Sequence, residues 1–233
     1  MVGPSGMKAV SLIHTSWLKP FAEFFAERQA SLQPYLEATK LTSEQVAAGD
    51  GWVTKQQLYR FLNAVARGER MPELGFVVGE GITPDSLGAI SEAMVEAKTL
   101  GEALRMFCRL INRHSEENRS WVSAGEGGEV WLRNETRNPF PADRKIADHA
   151  GLMSLVNLVR LVGGAHWYPE RADLQTGPTR AHLRVPGWRD TKLRFGCQAS
   201  GLAFPASWLL EPIDRVAPSA PIPLRGLLEE EES

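Results

Sequence analysis

"LRFGCQASGLAFPASWL", residues 193–209, decides how this chain is read. It carries one of the two cysteines, Cys197, between two runs of alternating apolar residues, with Gly196 and Gly201 in the middle. Alternation with a period of two is the mark of half-buried strands, and glycines between two such runs mark a turn. One reading pairs Leu193 to Gly196 with Leu202 to Phe204 as a hairpin and leaves Cys197 in its turn. The other makes Cys197 a reactive thiol on an exposed loop, and so makes the chain an enzyme. A catalytic thiolate needs a helix N-terminus or a cationic neighbour. Arg194 is close in sequence, but nothing in the pattern aims it at the sulfur.

Upstream, "RSWVSAGEGGEVWLRNE" (119–135) alternates on both sides of Gly125, Gly127 and Gly128, which predicts a second hairpin. Val130 and Leu132 then point one way, Trp131 and Arg133 the other. Before it the period is helical. "TLGEALRMFCRLINRH" (99–114) repeats Leu100, Leu104, Phe107 and Ile111, and opens on a Thr99–Glu102 capping box. "VTKQQLYRFLNAVARG" (53–68) opens on Thr54 and Gln57 and ends at Gly68, with Leu58, Phe61, Leu62 and Val65 as its buried stripe. "SWLKPFAEFFAERQA" (16–30) is a third helix, and Pro72 starts a short one. Another helix, or else a strand, is expected at 86–96, after Pro84-Asp85. A long helix over 142–162 ends at Gly163-Gly164 and shows Ile146, His149, Met153 and Val156 on one face. "RADLQTG" (171–177) and "RAHLRV" (180–185) read as short strands.

The order is helices first, then strands interleaved with one helix. Hairpins outnumber alternating units, so the expected class is α+β: antiparallel hairpins and sheet with helices packed on it, and a helical N-terminal third. Residues 1–15 read as a leader, 16–213 as one domain, and 214–233, rich in proline and ending in Glu229–Glu232, as a linker or tail.

Composition bounds the function. The chain has 233 residues, 43% of them apolar, with a net charge of −2, which disfavours a wholesale nucleic-acid binder. Two cysteines give no disulfide framework and suit a reducing compartment, hence a cytoplasmic protein. No apolar run is long enough to span a membrane. There is no phosphate-binding loop, no nucleophile elbow, and no His or Cys spacing for zinc, so neither metal nor cofactor is expected. Cys108, beside Leu104 and Ile111, reads as a small hydrophobe. His149 is either a core histidine with one hydrogen bond or the polar anchor of an apolar ligand cavity. Trp121, Trp131, Met153 and Trp167 are the other candidates for such a site, because aromatic walls with few polar groups suit a small ligand.

The segment "MPELGFVVGEGITPDSLGAISEAMVEAKTLGEALRMFCRLI" (71–111) resembles the effector-binding N-terminal domain of AraC-type transcriptional regulators, the group labelled arabinose-binding-like. The resemblance rests on Leu74-Gly75, Gly79, Leu87-Gly88 and Thr99 to Leu104. It continues through Val53-Thr54, the 119–135 hairpin, Trp167 with Pro169, and Leu193, Phe195, Gly196, Leu202, Phe204 and Leu209. It spans roughly 16–213. It departs at Thr176-Gly177-Pro178, where the family carries a histidine, and over 180–190. The resemblance implies a non-enzymatic sensor of a small-molecule effector, working as a homodimer. DNA would be bound only through a helix-turn-helix domain not present in this chain. Residues 99–104 and 142–162 are the surfaces it suggests for self-association. A stand-alone protein-interaction module and a thiol enzyme using Cys197 remain the alternatives.

Overall fold

Thr54 and Gln57 do what their spacing predicts. The threonine hydroxyl accepts the Gln57 N–H, the glutamine side chain accepts the Thr54 N–H, and α4 (Lys55–Gly68) starts there. The computed structural model describes residues 11–49, 51–82, 94, 96–114, 117–137 and 143–213. These divide into two compact units between Glu69 and Arg70.

In the first unit, β1 (Leu12–His14) pairs antiparallel with β2 (Trp52–Thr54). At three residues each, neither strand is long enough for alternation to register in the sequence. Between them lie α1 (Lys19–Glu27), α2 (Gln33–Thr39) and α3 (Ser43–Ala48), the last opened by a further capping box from Thr42 and Gln45. The apolar stripe of α4 (Leu58, Phe61, Leu62 and Val65) is buried, as are Phe21, Phe24 and Phe25 of α1.

The second unit is α5 (Leu74–Glu80), α6 (Leu100–His114), the hairpin β3 (Asn118–Ala124) and β4 (Glu129–Thr136), α7 (Lys145–Gly163), and three further strands. These are β5 (Arg171–Leu174), β6 (Lys192–Phe195) and β7 (Ser200–Pro205). The helix expected at 86–96 lies outside the described residues except for its last positions. The hairpin turns at Gly127 and Gly128, both at positive φ (64° and 81°), where a side chain would be strained. At the start of α6 the expected box is rearranged. Glu102 N–H donates to Thr99 Oγ1 (3.3 Å), but the Glu102 carboxylate takes the N–H of Lys98 (2.7 Å) rather than that of Thr99.

The sheet runs β3-β4-β7-β5-β6. That corrects the first expectation. Leu193–Phe195 and Leu202–Phe204 do not pair with each other, because β5 lies between them. β6 pairs with β5 in parallel, and β7 pairs antiparallel with β4 and β5. The turn after β6 is pinned to β5: Gly196 N–H donates to Thr176 O (3.0 Å) and Cys197 N–H to Leu174 O (3.0 Å). The chain thus steps over the end of β5 before β7 begins. A parallel pair needs a crossover of a dozen or more residues, and 175–191 supplies it. "RAHLRV" belongs to this crossover. It is a 3-10 turn, Ala181–Arg184, and not a strand, followed by a second turn at Pro186–Trp188. Pro178 and Pro186 remove the N–H groups that a sheet ladder would need. The Trp188 indole plugs the inside of the crossover, fully buried.

Register fixes the two faces of the sheet. Leu132, Leu202 and Ala172 are cross-strand partners and all are fully buried; α7 packs against β7 and β5, and α5 packs against α7. Squeezed between layers, α7 is buried nearly all round, which is why its sequence is apolar on more than one face. The outer edge of β3 is closed by α6: Asn112 donates to Ser120 O (2.9 Å) and accepts from Ser120 N–H (2.7 Å). An unpaired strand edge is thereby satisfied.

Candidate functional site

The close approach of α5 to α7 builds the site. Gly75 and Gly79 stand one helical turn apart. A Cβ at 75 would lie 2.2 Å from Ile146 O and 2.7 Å from the His149 Cβ; one at 79 would lie 2.5 Å from the Met153 Cβ. His149 and Met153, also one turn apart, therefore seat over the two glycines. The His149 ring stacks on Phe76 (4.3 Å between centroids, 19° between planes), and Phe76 meets Trp188 at 5.1 Å. Trp188 Nε1–H donates to the Met153 sulfur at 3.1 Å. Tyr168 packs edge-on against Trp188.

His149 is fully buried, and among the described residues neither ring nitrogen has a hydrogen-bond partner. Burial, with Lys145 and His182 adding like charge, pulls its pKa down to about 3. The imidazole is neutral near pH 7, with one donor and one acceptor unmet, each costing about 1–3 kcal/mol. His182, also at the edge of burial, leaves its Nδ1 unpartnered and packs on Phe195 at 5.9 Å.

One end of the cluster is locked by polar groups that carry no local signal in the sequence. The Asn157 amide spans the C-terminus of α5, donating to Ile82 O (2.7 Å) and Gly79 O (3.0 Å). Arg160 bridges Asn157 Oδ1 (2.9 Å), Trp167 O (2.9 Å) and the Glu80 carboxylate (2.6 Å). Tyr168 O–H bonds the other Glu80 oxygen. Burial first, then the Glu80 carboxylate, push its phenol above the usual value. These hydrogen bonds offset part of the desolvation of a buried ion pair, although Arg160 Nη2 has no partner among the described residues. The signal available in the sequence was the spacing Gly75-x-x-x-Gly79; Asn157, Arg160 and Glu80 had none.

The other candidates lie elsewhere. Trp167 packs against Trp208 (5.4 Å), next to the Arg160 anchor. Trp121 and Trp131 sit on the sheet face opposite Leu132. There a row of register partners crosses all five strands: Trp121, Arg133, Gly201, Asp173, Arg194. Gly201 leaves the middle of the row open, since a Cβ there would stand 2.5 Å from Leu132 O and 3.1 Å from the Arg133 Cγ. Arg133 thus reaches across β7 to Asp173 (3.1 Å), and Arg194 forks onto the same carboxylate (2.8 and 2.8 Å). Arg133, Arg171 and Arg194 cover the Trp131 indole at 4.3, 5.7 and 5.9 Å. The structure thus brings His149 and Met153 together on one side of the sheet, and Trp121 and Trp131 together on the other.

Cys197 is half-buried beside Asp173. Burial and then that carboxylate push its thiol above the usual value, against the pull of Arg194 and Arg133. The cationic neighbour is present but spent on Asp173, so the sulfur is not an activated nucleophile. Burial lifts Cys108 to about 11. Among the described residues no group of three acidic, His or Cys side chains could hold a metal ion, and no helix is long and apolar enough to cross a membrane.

These features define a class first: an α+β domain with a buried aromatic cluster packed on one side of its sheet. The chain belongs to the family described as the arabinose-binding domain of AraC transcription regulator, N-term, whose model matches residues 30–213. It is therefore a regulatory, effector-binding domain and not an enzyme. In fold it is similar to the crystal structure of transcriptional regulator CdpR from Pseudomonas aeruginosa, with a TM-score of 0.51 and 17% identity over 81% of this chain. The chain spans 57% of that protein's length. No curated protein matches it.

Proposed function

We propose that residues 16–213 sense a small effector at the cluster of Phe76, His149, Met153 and Trp188, and that effector binding shifts a self-associated state of the domain. The observation that carries this is His149: an imidazole buried on all sides with both nitrogens unmet. Ligand sites are apolar walls with a few placed polar groups, and a bound molecule that meets both nitrogens recovers what their burial costs. The two glycines beneath His149 and Met153 tie the site to the α5–α7 contact, so occupancy would bear directly on helix packing. Binding shifts an equilibrium only through differential affinity for its two states. In this reading residues 16–213 sense the effector rather than contact DNA, and the two thiols suit work in the cytoplasm.

A thermal-shift screen against small metabolites tests the reading. A ligand at 100 times its dissociation constant adds about 2.7 kcal/mol. The same ligand should add nothing to His149→Phe, a variant that keeps the stacking on Phe76. Equal stabilisation of both proteins would remove His149 from the site. Sedimentation over a range of concentrations, with and without that ligand, tests self-association.

A further inference from the structure

Arg105, Arg109 and Arg113 follow one another at four-residue spacing along α6, all exposed, while Leu100, Leu104 and Phe107 of the same helix are buried. Among the described residues none of the three has a hydrogen-bond or ion-pair partner. The helix's own acid, Glu102, is turned back onto the Lys98 N–H. Like charges at this spacing weaken a helix by about 0.2–0.5 kcal/mol per pair, and solvated helix faces usually mix signs. The cations of the sheet differ: Arg133 and Arg194 are held by Asp173, and Arg171 by Glu129. The α6 row is thus a one-sign stripe roughly 12 Å long, its charges about 6 Å apart.

The chain itself carries the opposite charge, and its last described residues lie beside this helix. Leu100 N–H donates to Glu211 O (3.2 Å), Ile213 N–H donates to Lys98 O (3.1 Å), and Thr99 and Pro212 form a β-bridge. The described chain therefore ends, at Ile213, beside the N-terminal end of α6. The four glutamates Glu229–Glu232 follow after the tether 214–228. Fifteen residues reach about 50 Å at most. The stripe begins about 8 Å and ends about 20 Å along α6 from Leu100. A short tether also sets a local concentration on the order of millimolar.

We infer that Glu229–Glu232 dock on the Arg105, Arg109 and Arg113 stripe, a salt-sensitive contact within one chain that covers the exposed side of α6. Charge-keeping substitutions make it measurable. In the full chain with Arg105→Lys, Arg109→Lys and Arg113→Lys, a zero-length carbodiimide joins carboxylates to the new amines, and mass spectrometry locates the links. Links from Glu229–Glu232 should favour positions 105, 109 and 113 over Lys40 and Lys192 by about tenfold at low salt. They should fall several-fold at about 0.5 M salt, with the melting temperature of the variant unchanged. Links spread evenly over all lysines would overturn the contact. So would links that join isotopically heavy to light chains in a mixture, which would assign the stripe to a second copy. A duplex DNA that binds the stripe as well with Glu229–Glu232 intact as with all four changed to Gln would overturn it in favour of phosphate.

Discussion

His149 titrates near pH 6.5 when unfolded and near pH 3 in the fold. As pH falls through that window the unfolded chain takes the extra proton, so the fold loses stability between about 6.5 and 3 and loses none from this source above it. His149→Phe should flatten that decline. At pH 7.5 it should keep or raise the urea midpoint, because two unmet hydrogen bonds disappear with the imidazole. A variant less stable than the parent at pH 7.5 would show that the nitrogens are met in solution. Cys197 makes a second test at this scale. With its thiol pushed up by burial and Asp173, alkylation by iodoacetamide at pH 7.5 should be slower than that of a free cysteine, and faster in Asp173→Asn.

At the scale of elements, the α5–α7 crossing depends on two missing side chains. Gly79→Ala places a methyl 2.5 Å from the Met153 Cβ, and should cost about 1–3 kcal/mol. Gly151, mid-helix in α7, has nothing within 4 Å of an added Cβ. Gly151→Ala should instead stabilise by about 0.5–1 kcal/mol. Urea denaturation of the two variants side by side separates a packing glycine from a merely tolerated one. The helices themselves were legible, because Thr54 with Gln57 and the stripe of Leu58, Phe61, Leu62 and Val65 are local signals. Which strands neighbour each other was not. Leu193–Phe195 and Leu202–Phe204 alternate as a hairpin would, yet β5 enters between them.

For the whole molecule, the outer sheet face depends on one carboxylate. Asp173, with its side chain 2% exposed, holds Arg133 and Arg194, and those two with Arg171 cover Trp131. Asp173→Asn removes the charge that fixes both guanidiniums and should cost about 1–3 kcal/mol. It should also open the indole to water, read as a red shift in tryptophan emission. If the emission is unchanged, the arginines are held by something other than Asp173. The family match, 30–213, runs from the first compact unit into the second. Effector-linked changes in stability should therefore be followed on the whole chain.

The sequence by itself determined the class of fold, the starts of α4 and α6, the two sides of β4, and the family, because caps, periods and short motifs are properties of neighbouring residues. Tertiary structure alone decided the strand order, the parallel β5–β6 pair, and the company each candidate keeps. His149 and Met153 were visible as one helix face. Their partners Phe76, Trp188, Asn157 and Glu80 come from distant segments, brought there by two glycines and a crossover. Trp131 looked like part of the same site, but a period of two sends it to the other side of the sheet from Leu132. Which face meets the helices is fixed only when the layers pack.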